Sequence, residues 1–252
     1  MDLGDLLDEL RNNILRDRSD QISGPSDYLW SDPTLIRYIN EAQRKFARLG
    51  LVLRDGPPSP ICTVQLKAGV TQYQLDKSII AVLSVKYPAD PVDLKRAGHA
   101  GLGTYRTPDT TFFNPSSLTG LPPGKVLAWS TDEQVSADDD GSMSRVTLRV
   151  YPAPLDAYAT PLQMRVVRVP LEKLRDPGDI PEIPEDHHLE MLDWAAYLAL
   201  RISDHDAGDP VRATEFRASF MEHVAAAKQL AQEKMFAPVQ WGFGSNGFTW
   251  NS

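Results

Sequence analysis

The chemically richest stretch of the sequence is "IPEDHHLEMLDWAAYLALRISDHDAGD", residues 183–209, which holds three of the five histidines. Imidazoles and carboxylates are common zinc ligands and common general acids and bases. His187, His188 and Glu190 are therefore the candidate residues of a metal-dependent hydrolase. Neighbouring residues of an α-helix point about 100° apart, however, so His187 and His188 cannot bind one metal as residues four apart would.

The second polar cluster of this stretch, "SDHDAGD", follows the first by about 17 residues, which is about 25 Å along a helix axis. The two clusters therefore mark the two ends of one predicted helix. Acidic side chains are favourable at a helix start, and capping residues are favourable at a turn. This interpretation predicts neither a metal site nor a catalytic residue in the stretch.

Other motifs for catalysis or cofactor binding do not occur in the sequence. It has no G-x-S-x-G motif, no P-loop and no H-E-x-x-H motif. Cys62 is the single cysteine, and its place at the start of a predicted strand indicates a packed thiol rather than a nucleophile. Residues 138–140 are aspartates before Gly141, as in a calcium loop, but Thr147 replaces the acidic ligand expected six positions later. We therefore expect no cofactor and no bound metal.

The charge balance bears on possible partners. The chain has 26 basic and 34 acidic side chains, which gives a formal net charge of -8. Proteins that bind nucleic acid through its phosphates are usually basic. No apolar run approaches the about 20 residues that cross a bilayer, so we expect no membrane partner. One predicted helix does carry a local basic cluster, and a monomeric nucleic-acid-binding module is an alternative hypothesis. The cluster consists of Arg37, Arg44, Lys45 and Arg48.

Helical periodicity occurs at both ends of the chain. Near the N-terminal end, apolar spacing predicts helices over residues 3–17 and in "LWSDPTLIRYINEAQRKFARLG". In the second of these, Pro33 suits the first turn, and Gly50 is expected to end the helix in the left-handed conformation.

Near the C-terminal end, residues Pro184 to Phe236 predict a hairpin of two antiparallel helices joined by a short turn. Asp209 and Pro210 have the residue types of a helix cap and a first helical position. We expect this hairpin to bury one apolar stripe inside the chain and to offer another to a neighbouring chain. The candidate residues are Leu192, Ala195, Ala199, Phe216, Phe220 and Val224.

Between the helical regions, short β-type segments alternate with connections rich in glycine and proline. Six or so strands of this kind indicate a small antiparallel sandwich or barrel, and residues 89–124 lack a clear period and are interpreted as a long loop. The segments are "ICTVQL", "TQYQL", "IIAVLSVKY", "GKVLAWS", "SRVTLRVYP" and "LQMRVVRVP", and "SADDDGSMS" is interpreted as a hairpin tip.

The sequence as a whole predicts an α+β fold. Helices from both chain ends form a discontinuous bundle of residues 1–50 and 183–236, and residues 51–182 form an inserted antiparallel β domain. Residues 237–252 form an extended C-terminal arm. In the arm, aromatic residues alternate with Gly, Ser and Asn, which suits anchoring to a groove or a sheet edge of another protein. The candidate anchors are Trp241, Phe243, Phe248 and Trp250.

The order and spacing of four segments resemble a known protein family. The sequence is similar over residues 27–232 to the head-to-tail adaptor proteins of tailed bacteriophages, which are related to the tail tubular protein A type of short-tailed phages. The four segments are "DYLWSDPTLIRYINEAQRKFARLG", "AGVTQYQLDKSIIAVLSVKY", "VTLRVYPAPLDAYATPLQMRVVRVPLEKL" and "IPEDHHLEMLDWAAYLAL".

This resemblance implies a non-enzymatic structural protein of the virion, without catalytic residues. It implies a ring of about twelve copies that docks beneath the portal and connects the head to the tail around the DNA channel. In such a ring the helix hairpin would build the contacts between subunits, and the aromatic C-terminal arm would reach the portal. The implied partners are other copies of the chain, the portal protein, a tail, nozzle or stopper protein, and genomic DNA that passes without sequence-specific binding. The location would be the virion, after assembly in the host cytoplasm. The hydrolase and nucleic-acid-binding hypotheses remain as alternatives.

Overall fold

The computed structural model describes residues 1–17, 28–90, 92–97, 122–132, 146–201 and 209–233, and in addition the backbone of residues 105–106, 112–113, 136–137, 143–144 and 234–235. Helices lie at both ends and strands lie between them, so the predicted α+β class is confirmed. None of the helices in this part of the chain combines the length and the apolar character that a bilayer span requires. The helices are α1 (Leu3–Asp8), a π-helical segment (Glu9–Leu15), α2 (Asp32–Gly50), α3 (His188–Leu200) and α4 (Pro210–Met235).

The starts of the helices follow from their sequences. The Asp2 carboxylate accepts the backbone N–H of Asp5 at 2.9 Å, and the Asp5 carboxylate accepts that of Asp2 in return, which caps α1. Pro33 lies in the first turn of α2, where a missing N–H group costs little. Helix α4 begins at Pro210, and the Asp209 carboxylate accepts a backbone N–H of the first turn at 3.1 Å. The predicted start of the second hairpin helix is confirmed.

The predicted role of Gly50 is wrong. Gly50 is the last helical residue of α2, and Leu51 takes the left-handed conformation instead, with a φ of 55°. A Cβ atom on Gly50 would lie 3.3 Å from Cγ1 of Val52 and 3.6 Å from Cβ of Ala227 in α4. The missing side chain therefore lets α2 and α4 pack closely, which accounts for glycine at this position.

The helices share one apolar core. Phe46 of α2 and Phe220 of α4 meet edge to face with ring centroids 5.8 Å apart, and Trp194 of α3 lies 5.1 Å from Phe220. Aromatic pairs in this arrangement contribute about 0.5–1.5 kcal/mol beyond the burial of their area. The aromatic centre therefore joins α2, α3 and α4. Other buried members of this core are Leu3, Leu6, Leu10, Leu35 and Ile39.

A side-chain amide fastens the segment before α3 to α2. The Nδ2 group of Asn40 donates to the carbonyl of Leu174 at 2.9 Å, and its Oδ1 accepts the Leu174 N–H at 2.9 Å. The Asn40 amide therefore bonds to both the N–H and the C=O group of Leu174, as a residue of a neighbouring β-strand would. The Leu174 side chain is buried in the helical core.

Eight of the strands form two four-stranded sheets. The first has β12 at its centre: β4 pairs with one edge of β12, and β2 and β1 pair with successive parts of the other edge, all antiparallel. The second has the order β3, β11, β8, β5, in which only β5 and β8 are parallel. The strands are β1 (Arg54–Asp55), β2 (Thr63–Gln65), β3 (Gln72–Gln74), β4 (Ile79–Lys86), β5 (Lys95–Arg96), β6 (Tyr105–Arg106), β7 (Phe112–Phe113), β8 (Ala128–Asp132), β9 (Ser136–Ala137), β10 (Met143–Ser144), β11 (Thr147–Tyr151) and β12 (Pro161–Arg168).

Both sheets bury side chains in a second apolar core. Val82 and Met164 enter it from the first sheet, and Trp129 and Leu148 enter it from the second. The two sheets therefore pack face to face as a sandwich, which is one of the two predicted arrangements. Each of the six β-type segments of the sequence overlaps a strand, so these predictions are confirmed.

Two predicted connections contain more structure than expected. Residues 89–124, interpreted as a loop, include β5 and the antiparallel pair of β6 and β7, while 91, 98–104, 107–111 and 114–121 lie outside the described residues. Strands β9 and β10 pair antiparallel on either side of the predicted hairpin tip, whose residues 138–142 also lie outside them.

The division into residues 1–50 with 183–236, 51–182 and 237–252 stays a prediction. Leu53 and Leu174 belong to the predicted β insert but are buried in the helical core. Arg168 at the end of β12 donates to Asp55 at 3.1 Å and to Glu182 at 2.5 Å. These contacts join the sandwich to the segment that leads into α3.

Candidate interaction surface

The predicted hairpin of α3 and α4 is antiparallel and packs on α2. Asp193 of α3 accepts the hydroxyl of Ser219 in α4 at 2.6 Å, and Glu190, one turn earlier in α3, meets His223, one turn later in α4. The six candidate residues lie inside the chain: five are buried and Phe216 is half-buried against the helical core. Their ring-building role stays a prediction, because no observation tests it. The six are Leu192, Ala195, Ala199, Phe216, Phe220 and Val224.

The two adjacent histidines have different partners. His188 is buried, and its Nε2 lies 2.9 Å from the carbonyl oxygen of Ile183. His187 lies with its Nδ1 2.6 Å from Glu190 and its ring 5.0 Å from the ring of Phe46. The two imidazoles therefore contact different groups. Within the described ranges, no three His, Cys, Asp or Glu side chains are arranged to hold a metal ion.

A carboxylate and imidazole cluster does form between α3 and α4. His223 of α4 has its Nδ1 3.4 Å from Glu190 and its Nε2 3.8 Å from Asp193. Burial, opposed by the Ser219 hydrogen bond, holds the pKa of Asp193 above its ordinary value of 3.8. The Ser219 hydroxyl donates to this carboxylate rather than to the imidazole. The geometry therefore differs from that of a Ser-His-Asp triad, in which the imidazole contacts the hydroxyl.

The basic cluster predicted on α2 is partly a packing feature. Arg37, Arg44 and Arg48 are exposed, whereas Lys45 is half-buried. Lys45 Nζ lies 3.3 Å from the ring centroid of Trp194, which is a cation–π contact. Burial and, next, the charge of Arg48 hold the pKa of Lys45 below its ordinary value of 10.5.

Two arginines from the hairpin extend this cluster. Arg201, which follows α3, and Arg217 of α4 have their guanidinium carbons 5.8 and 6.0 Å from the ring centroid of Tyr197. The rings of Tyr197 and Trp194 are 4.7 Å apart. Among the described residues, no carboxylate forms an ion pair with Arg48, Arg201 or Arg217. The basic patch is defined as Lys45, Arg48, Arg201 and Arg217.

Sequence reasoning missed His223, Arg201 and Arg217 as members of these groups. The predicted antiparallel hairpin offered a signal, because residues at similar chain distances from its connection come to lie opposite each other. His223 thus comes opposite Glu190. Lys45 lies beside Trp194 only because α2 packs on α3. The apolar periodicity of each helix does not show which helices pack together.

Two further candidates from the sequence are the single cysteine and the aromatic arm. Cys62 is fully buried in the sandwich core, as predicted for a packed thiol, and burial raises the pKa of its thiol. The aromatic arm lies outside the described residues. Its candidate anchors are Trp241, Phe243, Phe248 and Trp250.

Comparison with known proteins bears on the identity of the chain. The sequence model of one family, described as SU10 adaptor protein, matches residues 1–242 of the 252. Comparison with curated proteins finds no match. The family match spans all of the described helices and strands, and it confirms the resemblance to phage head-to-tail adaptors. The chain therefore belongs to the SU10 adaptor family, whose members are phage adaptor proteins.

Proposed function

We propose that this protein is a non-enzymatic structural adaptor that forms a ring of about twelve copies beneath the portal and connects the phage head to the tail. Genomic DNA passes through the ring without sequence-specific binding, and a tail, nozzle or stopper protein binds the far side. Assembly takes place in the host cytoplasm, and the mature location is the head–tail interface of the virion. The observation that carries this proposal is the SU10 adaptor match over residues 1–242.

The geometry supports a scaffold rather than a reactive centre. The clusters with catalytic residue types are used within the fold: His188 bonds to a backbone carbonyl, and Ser219 bonds to Asp193. The helical bundle offers a rigid surface, because its core joins α2, α3 and α4 through buried aromatic side chains. Rigid elements of this kind suit contacts that must repeat around a ring.

The C-terminal arm is proposed to hold the portal. Residues 237–252 contain four aromatic and no charged side chains, so the segment can bury aromatic rings without desolvating a charge. Trp241 lies within the family match, whereas Phe243, Phe248 and Trp250 lie beyond its end at residue 242. Portal contacts specific to this phage would fit such a position.

Electron microscopy of the protein mixed with its cognate portal protein tests the ring. We expect a closed ring with rotational symmetry on one face of the portal. Single bound copies, or no complex at micromolar concentrations, would contradict the proposal.

Truncation after Ala237 tests the arm. We expect the shortened protein to keep its helical content and to bind the portal at least about tenfold more weakly. A full-length control with Ser245→Ala and Asn246→Ala alters the same arm but keeps its aromatic residues, and it should bind as the wild type does. Unchanged portal affinity of the truncated protein would disprove the arm assignment while leaving the ring untouched.

A further inference from the structure

Helix α2 presents two flanks that carry opposite charge. Gln43 and Lys45 are two residues apart, so their side chains leave the helix about 200° apart, on nearly opposite sides. Lys45 lies against Trp194 of α3, on the side of the basic patch. Asn40 and Gln43 lie against the segment that precedes α3, and that segment is acidic.

The acidic segment before α3 is held in place by hydrogen bonds to its backbone groups. Residues 172–186 contain six carboxylates and two cations, a formal charge of -4, and the Asn40 amide holds this segment on α2 through Leu174. The backbone N–H groups of Arg175 and Asp176 donate to Asp179 and hold its pKa below the ordinary 3.8. The carboxylate of Asp179 is therefore held in place on this side of α2. The acidic flank is defined as Glu172, Asp176 and Asp179, because Glu185 farther along pairs with the N-terminal ammonium of Met1 at 3.1 Å.

One of the polar groups that line a cavity beside the acidic flank has no hydrogen-bond partner among the described residues. It has a volume of about 340 Å³ and lies between Gln43 and residues 171–182. Gln43 is 1% exposed, and its Nε2 has no acceptor among the described residues. Leu171 and Ile180 line the same cavity and are 50% and 68% exposed. A buried unpaired donor beside exposed apolar side chains is typical of a surface that another chain covers.

The basic patch likewise has cations without an ion-pair partner among the described residues. Lys45, Arg201 and Arg217 lie near two aromatic rings, and Arg48 is close enough to lower the pKa of Lys45. In this part of the chain Arg48, Arg201 and Arg217 form no ion pair. The overall charge of the chain is nevertheless -8, so this patch contrasts with the rest of the surface. Such a patch attracts an acidic surface of matching rigidity.

We propose that the basic patch of one copy binds the acidic flank of the next copy in the ring. This inference rests on the proposed ring. A closed ring requires a head-to-tail contact between two different surfaces of each subunit, and the two flanks of α2 are two such surfaces of opposite charge. The carboxylates of the neighbour pair with Arg48, Arg201 and Arg217, and the backbone of the neighbour supplies the acceptor for Gln43.

Nucleic acid, single-stranded or duplex, is a poorer occupant of the basic patch. Lys45 covers the ring of Trp194, and two guanidinium groups lie at Tyr197, so these ring faces are not open for stacking with bases. The net charge of -8 also repels a phosphate polymer, whereas the acidic flank is present on every copy.

A charge-swap experiment tests the proposal. The first variant carries Arg48→Glu with Arg217→Glu, and the second carries Glu172→Lys with Asp176→Lys. All four positions are exposed, so both variants should fold, which circular dichroism checks. Each variant alone brings like charges together and should associate at least about tenfold more weakly. An equimolar mixture should restore association, because alternating copies then pair opposite charges at every contact.

Matched controls place the same charge changes on the sandwich. Lys67→Glu with Lys77→Glu, and Asp93→Lys with Asp156→Lys, alter exposed side chains there and should leave association unchanged. Association is measured as copies bound per portal ring by microscopy, and as self-association of the adaptor alone by sedimentation at low and high salt.

The outcomes separate this inference from the proposed ring on the portal. Rescue by the mixture supports the inference. Rings that form equally well from each variant alone, or a mixture that fails to rescue, overturn it and leave the portal ring standing. Salt-sensitive self-association that the swaps disrupt and restore, without portal binding, supports the inference and overturns the portal contact. Wild-type protein that associates under neither condition overturns both. Loss of duplex binding by the first variant, with rings intact, would assign the patch to DNA.

Discussion

The helical bundle and the sandwich differ in where their segments come from. The bundle needs both ends of the chain: Arg212 in α4 donates to the carbonyl of Ile14 at 2.7 Å, across 198 residues. The eight strands of the two main sheets all come from the single stretch of residues 54–168. The sandwich can therefore form before the chain is complete, whereas the bundle can close only when α4 has been made. The two cores should respond separately to mutation.

The strongest test of this comparison removes the centre of the bundle. Phe220→Ala takes away a fully buried ring that contacts Phe46 and Trp194, and it should lower the free energy of unfolding by about 3–5 kcal/mol. Chemical denaturation followed by helical circular dichroism measures the change. Met221→Ala, at the adjacent exposed position, should change it by less than about 0.5 kcal/mol. Equal effects of the two substitutions would place Phe220 outside the core.

The matching test in the sandwich is Leu148→Ala. Leu148 is fully buried between the sheets, so its truncation should cost about 2–4 kcal/mol. The fluorescence of Trp129, which lies in the same core, should report the loss at lower denaturant than the helical signal does. If the helical and fluorescence transitions shift together, the two cores unfold as one unit and the comparison fails.

The junction should give a smaller effect. Arg168→Met keeps the aliphatic stem but removes the guanidinium that contacts Asp55 and Glu182, at a cost of about 1–3 kcal/mol. The separation between the helical and sheet transitions should widen, because this contact couples the two cores. Arg165→Met, three residues earlier on the exposed face of β12, serves as the control. An equal effect of the control would remove the coupling role from Arg168.

The smallest expected effect concerns Asp193. Burial raises its pKa in the folded chain, so the folded state binds the proton more tightly than the unfolded state does. Stability is therefore lost as the pH rises from about 4 through the raised pKa. Asp193→Asn removes this loss, so the free energy of unfolding of the variant minus that of the wild type should grow as the pH rises. A difference that is flat, or that falls as the pH rises, would contradict the assignment.

Periodicity and turn chemistry predicted the elements but not their partners. The strands and α2 were predictable because alternating and helical apolar patterns reflect local burial. Gly50 was misassigned because a glycine at a helix end usually signals a positive φ, whereas here it allows close packing on Ala227. The basic patch was only half predicted, since Arg201 and Arg217 lie more than 150 residues from Lys45. No local pattern reports a contact over that distance.

The amide of Asn40 constrains the two positions that it connects in different ways. Its bonds go to the backbone of residue 174, so they would survive any non-proline side chain there, although the buried side chain must still be apolar. Position 40 has no such freedom. Aspartate cannot donate to the carbonyl, leucine can neither donate nor accept, and glutamine sets its amide one carbon farther out. We therefore expect close relatives to keep asparagine at position 40, whereas residue 174 should vary among apolar residue types.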